Sequence, residues 1–153
     1  LRAQIKTLLE HYPKLKATVC LAQSHQVLAA SDAVLVASGT ATLEALLFEK
    51  PMLVCYRMSK LSFKIFKRKL KVEFVSLPNL LAGNKIVQEL LQEAVAPKRL
   101  FKQMEKLLFD ETCRKDLCKE LAKLHQVLAC NADEKAADAV LSVIASQSLK
   151  DHT

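Results

Sequence analysis

The chain has 153 residues, of which 51% are hydrophobic, and a formal net charge of +7. That is enough for one domain with a real core, and it excludes simple disorder. No apolar run approaches the roughly 20 residues that span a bilayer, the start carries no signal-peptide pattern, and five cysteines without paired spacing argue for a reducing compartment rather than a disulfide framework.

The first residue is Leu1 rather than Met, and it opens inside a helical pattern, as expected of a fragment or a processed piece. Leu1 to Tyr12 reads as a helix with Ile5, Leu8 and Leu9 on one stripe, ended by Pro13. Ala17 to Leu21 reads as a strand. Ser24 caps a short helix through Ala30, with Val27 and Leu28 packing inward. Asp32 to Ala37 is the next strand, followed by a Ser38-Gly39-Thr40 turn and a helix from Ala41 to Phe48. Lys50-Pro51 breaks that helix, and Met52 to Tyr56 is another apolar strand. A further strand is expected over Glu73 to Leu77, after an intervening helix. Strands alternating with helices imply βαβ units, a parallel sheet and right-handed crossovers.

Beyond Pro78 the pattern becomes all helical, over about Asn84–Ala94, Pro97–Phe109, Glu111–Cys130 and Ala132–Gln147. Pro97 suits a first helical position. The fold class expected is therefore α/β, with a parallel sheet in front and a helical rear. Residues 1–110 are expected to form the sheet-bearing lobe and 111–153 a helical tail. Within that tail, Leu117, Leu121, Leu124 and Leu128 make an apolar stripe.

The Ser38-Gly39-Thr40 turn lies between a strand and a helix, where free N–H groups and the positive end of the dipole make an anion site. Gly39 is one of two glycines in the chain, and a residue without a Cβ lets the backbone approach a phosphate. Glu44, one helical turn past Thr40, is placed to reach a ribose hydroxyl. The plainer reading makes Thr40 an ordinary N-cap and Glu44 an acid favoured by the dipole. No GxGxxG is present, which disfavours a dinucleotide-dependent oxidoreductase.

Between Arg57 and Lys71 lie Arg57, Lys60, Lys64, Lys67, Arg68, Lys69 and Lys71 with no acid among them, seven charges that match the net +7. On a helix, Phe63, Phe66 and Leu70 share one stripe, and Lys60, Lys64, Lys67 and Lys71 the stripe beside it. A basic amphipathic helix reads as a membrane-surface element. The alternative is a solvated face whose phenylalanines pack on the sheet. A nucleic-acid partner is not expected, because no helix-turn-helix or aromatic platform accompanies the charges. No metal is expected: Cys113 and Cys118 do not form a CxxC, and His11, His25, His125 and His152 are scattered.

Four blocks together resemble the lipid A disaccharide synthase family: Ser31 to Glu44 (SDAVLVASGTATLE), Lys50 to Met58 (KPMLVCYRM), Phe74 to Gly83 (FVSLPNLLAG) and Cys130 to Ala139 (CNADEKAADA). The resemblance runs from about Ala29 to Val143; Leu1 to Gln26 matches only loosely. It implies the two-lobed GT-B glycosyltransferase fold, of which this chain is most of the C-terminal, Rossmann-like, donor-nucleotide lobe, incomplete at its N-terminus. It further implies transfer of 2,3-diacylglucosamine from its UDP carrier to 2,3-diacylglucosamine 1-phosphate (lipid X). This hexosyl transfer belongs to lipid A biosynthesis, at the cytoplasmic face of the inner membrane.

On that resemblance, Ser38, Gly39 and Thr40 hold the UDP diphosphate without a metal or other cofactor. Glu44 takes the ribose. Asn79, expected on a loop after the Glu73–Leu77 strand, contacts donor sugar or phosphate, with Tyr56 and Arg57 on the same edge. Lys60, Phe63, Lys64, Phe66, Lys67, Arg68, Leu70 and Lys71 meet the membrane. The general base lies in an absent N-terminal lobe, so the isolated chain is expected to be inactive. Its helical tail packs on its own lobe, on the missing lobe or on the second subunit of a homodimer. The alternative is a non-catalytic membrane- or partner-binding module that keeps the fold without the chemistry.

Overall fold

The computed structural model describes residues 2–59, 63, 73–129 and 131–148, and the side chains of these apart from 132 and 144–148. By their internal contacts they form two compact units, Leu1–Ala30 and Ser31–Thr153. The division between these units falls after Ala30.

The first unit holds helix α1 (Arg2–Glu10) and helix α2 (Ser24–Ala30). The strand expected over Ala17 to Leu21 is absent: these residues are exposed irregular chain. An apolar run becomes a strand only where a ladder partner takes its N–H and C=O groups, and these residues pair with no strand among the described residues. In α2, Leu28 is buried, whereas Val27 is 45% exposed and does not pack inward as expected.

The second unit is built on strands β1 (Val34–Ala37), β2 (Met52–Tyr56) and β3 (Gln88–Leu91), all parallel and in the order β1-β2-β3. Helix α3 (Thr40–Leu47) connects β1 to β2. Helix α4 (Leu77–Ala82) lies between β2 and β3, and a 3-10 turn (Gln92–Ala94) leads to α5 (Pro97–Phe109), α6 (Glu111–Leu128) and α7 (Ala132–Ser148). Pro97 stands at the start of α5, as its fixed φ favours, and Asp110 caps α6 by accepting the Cys113 N–H at 2.9 Å. Gly83 closes α4 in the left-handed region, at φ 67°.

Register assigns the two faces of the sheet. Leu53 pairs with Leu35 on one side and with Gln88 on the other, so Leu53 and Leu90 share a face. They pack with Leu100, Met104 and Leu107 of α5 and with Leu117 of α6. Glu89 has the opposite parity and faces the side of α3 and α4. Leu46, Met52, Leu53, Val54, Val87 and Leu121 are fully buried, and each contributes roughly 1.5–3 kcal/mol by leaving water. Of the partners expected for the stripe of the helical tail, Leu117 and Leu121 take their own lobe, Leu117 packing against the core cluster and Leu121 fully buried.

Two further expectations are corrected. Residues 73–77 are not a strand: the Val75 and Ser76 N–H groups are taken by the side chain of Glu89, not by a neighbouring strand, and α4 begins at Leu77. The third strand lies instead at Gln88–Leu91, inside the span read as a helix from Asn84 to Ala94.

Candidate functional site

Because the strands run parallel, their carboxyl ends fall on one edge. Ala37 is the register partner of Cys55, and Tyr56 that of Leu91. Pockets of open α/β sheets form at this edge. Ser38, Arg57 and Gln92 each continue a strand across it.

The turn after β1 is held from beneath. Ser38 Oγ donates to the Val75 carbonyl at 2.7 Å. The buried Thr42 Oγ1 donates to the Gly39 carbonyl at 2.7 Å and accepts the Leu77 N–H at 3.2 Å. One hydroxyl therefore ties the start of α3 to the start of α4. Gly39 sits at φ 132°, ψ −162°, a conformation that side chains disfavour, and nothing lies within 4 Å of where a Cβ would stand. Glycine is needed here for its backbone conformation, not for space.

Gly39, not Thr40, is the N-cap of α3, and no side chain caps the helix. The Thr42 N–H donates to the Gly39 carbonyl at 3.0 Å, so the Thr40 and Ala41 N–H groups are the ones placed to meet an acceptor from outside the chain. Thr40 is exposed at the first position of the helix, and Glu44 is half-buried one turn further on. Ser38, Gly39 and Thr40 are thus consecutive at the start of α3, with Glu44 on the next helical turn. Tyr56 and Arg57 are both exposed at the same edge, at the end of β2.

Asn79 has a different place. It is fully buried on α4. Its Oδ1 accepts the Ile86 and Val87 N–H groups, both at 2.8 Å, and its Nδ2 donates to the Val87 carbonyl at 3.0 Å and to Glu89 Oε1 at 2.9 Å. The amide is spent on the scaffold, pinning α4 to the chain that enters β3.

Glu89 is the hub that the helical reading of 84–94 concealed. Its carboxylate accepts the Val75 N–H at 3.1 Å, the Ser76 N–H at 2.9 Å, Ser76 Oγ at 2.6 Å and Asn79 Nδ2 at 2.9 Å. Through Val75 this network reaches Ser38. The isolated sequence offers one signal for it, an acid set between apolar neighbours in Val87-Gln-Glu-Leu-Leu91.

Gln92 was also missed. It is 7% exposed, at φ 50°, and its Oε1 accepts the Met58 N–H at 3.3 Å. Its Nε2 is buried without a hydrogen-bond partner among the described residues, a state that costs about 1–3 kcal/mol.

Cys55, beside the turn at the end of β2, has its thiol pushed up from the ordinary cysteine value by burial, so it stays protonated at neutral pH and is a poor nucleophile. Among the described residues no group of three His, Cys, Asp or Glu could hold a metal ion, and no helix is long and apolar enough to cross a membrane. Of the basic stretch, Lys60, Lys64, Phe66, Lys67, Arg68, Leu70 and Lys71 lie outside the described residues. Phe63 is half-buried and donates its N–H to the Ser59 carbonyl at 2.9 Å.

A cavity of about 650 Å³ opens at the other edge of the sheet. Met52, Val87, Lys85, Lys106, Cys113 and Asp116 are among its lining residues. None of the residues of the β1–α3 turn reaches it.

Residues 1–140 match the family model described as lipid-A-disaccharide synthetase. The chain is 51% identical over 122 residues to the lipid-A-disaccharide synthase of Sodalis glossinidius (strain morsitans), covering 80% of this chain and 32% of that protein. It is 43% identical over 143 residues to that of Pseudomonas aeruginosa (strain LESB58), 94% of this chain and 37% of the relative. It is 40% identical over 149 residues to that of Cupriavidus pinatubonensis, 97% and 37% respectively. The chain thus spans about a third of the length of these curated relatives.

Proposed function

Because the chain belongs to the lipid-A-disaccharide synthetase family, we propose that it forms the donor-nucleotide part of a UDP-sugar-dependent hexosyltransferase. The protein transfers 2,3-diacylglucosamine from UDP-2,3-diacylglucosamine to lipid X. The bond from the sugar C1 to the diphosphate breaks, a bond from C1 to the acceptor's 6-hydroxyl oxygen forms, and UDP leaves. The hydroxyl proton passes to a base supplied from outside this chain, without which the chain does not turn over.

One observation carries the reading: the uncapped N-terminus of α3 follows Gly39 at the carboxyl edge of a parallel sheet. Its N–H groups and dipole suit a diphosphate, and they stabilise the charge that grows on the leaving group without reorganising. Ser38 and Gly39 shape the seat, Thr40 opens the helix beside it, and Glu44 accepts hydrogen bonds from the ribose. Tyr56 and Arg57 border the seat, with Arg57 placed to pair with phosphate. No metal or other cofactor is assigned. Both substrates carry acyl chains, so the protein works as a peripheral enzyme at the cytoplasmic face of the inner membrane, with the basic stretch from Lys60 to Lys71 facing anionic lipid.

Calorimetric titration of UDP into the folded chain, with Glu44→Ala in parallel, tests this. Binding that weakens several-fold in the variant is expected. A chain that is folded by circular dichroism yet binds no UDP would favour a non-catalytic module instead.

A further inference from the structure

Two departures from ordinary backbone and side-chain chemistry coincide in Gln92. Its backbone is left-handed at φ 50°, although it carries a Cβ. Its amide is oriented by the Met58 N–H, which donates to Oε1 at 3.3 Å, and this leaves Nε2 as the atom buried without a partner among the described residues. The strained backbone and the unmet donor are each unfavourable, and such pairs collect where a ligand completes the structure. Sheet pairing does not require either of them, since the ladder ends at Leu91. Both lie at the carboxyl edge, one residue beyond the partner of Tyr56 and on the same edge as the uncapped start of α3.

We propose that Gln92 is a nucleotide-binding residue of this edge, its Nε2–H donating to an acceptor oxygen of a uridine nucleotide seated against the Ser38-Gly39-Thr40 turn. The inference rests on the donor-site reading above and deepens it by naming a donor that the turn itself lacks. The Met58 N–H, on Oε1 at 3.3 Å, fixes which end of the amide is the donor. Two oxygens of a uridine nucleotide offer the same chemistry, a uracil carbonyl and a diphosphate oxygen.

The test is a calorimetric titration of the full chain with uridine, UMP and UDP, in the parent and in two variants. Gln92→Glu keeps an oxygen for the Met58 N–H and removes the N–H donor. Gln92→Met removes the whole amide and leaves an apolar chain of similar length. The two perturb folding in opposite senses, one burying a charge and the other relieving an unmet polar group, so urea unfolding identifies a variant that reports on affinity. At least about tenfold weaker UDP binding is expected in the folded variants, the equivalent of one lost hydrogen bond. An equal loss for all three ligands assigns the acceptor to the base, and a loss confined to UDP assigns it to the diphosphate. UDP affinity within about twofold of the parent in a folded variant overturns the role of Gln92 while leaving the donor site standing. No nucleotide binding by the parent overturns both.

Discussion

The two edges of the sheet differ in a way that volume does not reveal. The amino edge has the space, about 650 Å³ between the chain entering β3 and helices α5 and α6. The carboxyl edge has the directed groups: an uncapped helix start, a glycine at φ 132° and a buried amide with an unmet donor. The cavity at the amino edge is lined by side chains of both charges, among them Lys85, Lys106, Asp110 and Asp116, whereas parallel strands followed by helices aim backbone N–H groups at the carboxyl edge. The donor-site reading proposed above rests on the carboxyl edge, and the variants below set the two edges against each other.

The largest expected effect that separates the edges is at Glu89. Glu89→Ala leaves the Val75 and Ser76 N–H groups and the Asn79 amide without their acceptor. A stability loss of about 3 kcal/mol by urea unfolding is expected, with UDP binding impaired because Ser38 loses its Val75 anchor. Asn79→Ala strips the Ile86 and Val87 N–H groups of their acceptor. A cost of about 2 kcal/mol is expected, read in the same way. If Asn79→Ala instead lowered UDP affinity at full stability, its amide would be a ligand contact rather than a scaffold.

Gly39→Ala meets no atom within 4 Å but forces a Cβ onto φ 132°. A loss of about 1–3 kcal/mol is expected, together with weaker UDP binding in titration. Thr42→Val removes the hydroxyl that bridges the Gly39 carbonyl and the Leu77 N–H, and about 1 kcal/mol is expected, whereas Thr42→Ser should stay within a few tenths. The smallest effect belongs to the amino edge: Lys85→Ala, in the cavity wall, is expected to leave UDP affinity within about twofold by calorimetry. A large loss there would reverse the assignment of the two edges.

Much of the carboxyl edge was legible from the residues. Val34 to Ala37, the Ser-Gly-Thr turn and Met52 to Tyr56 carry local signals strong enough to survive without tertiary context: apolar runs bounded by small residues and by Lys50-Pro51. Pro97–Phe109 was legible for the same reason, from its proline start and a 3.6-residue period. What failed depended on partners distant in sequence. Gln88–Leu91 carries Gln and Glu at positions that suit a helix surface, and only pairing with Leu53 to Tyr56 makes it a strand. Phe74 to Leu77 has the apolar content of a strand, but a carboxylate thirteen residues from Ser76 takes its N–H groups. Asn79 reads as a turn residue after Pro78, and its burial follows from the same misplaced strand.

Strand β1 pairs, among the described residues, with β2 alone. Its far margin presents a row of N–H and C=O groups, and Leu35 on that strand is 48% exposed. Such a margin is a template for another β-segment. A preparation of this chain by itself is therefore prone to zip together at high concentration, and one further strand laid along β1 would extend the sheet and silence that tendency in the same step.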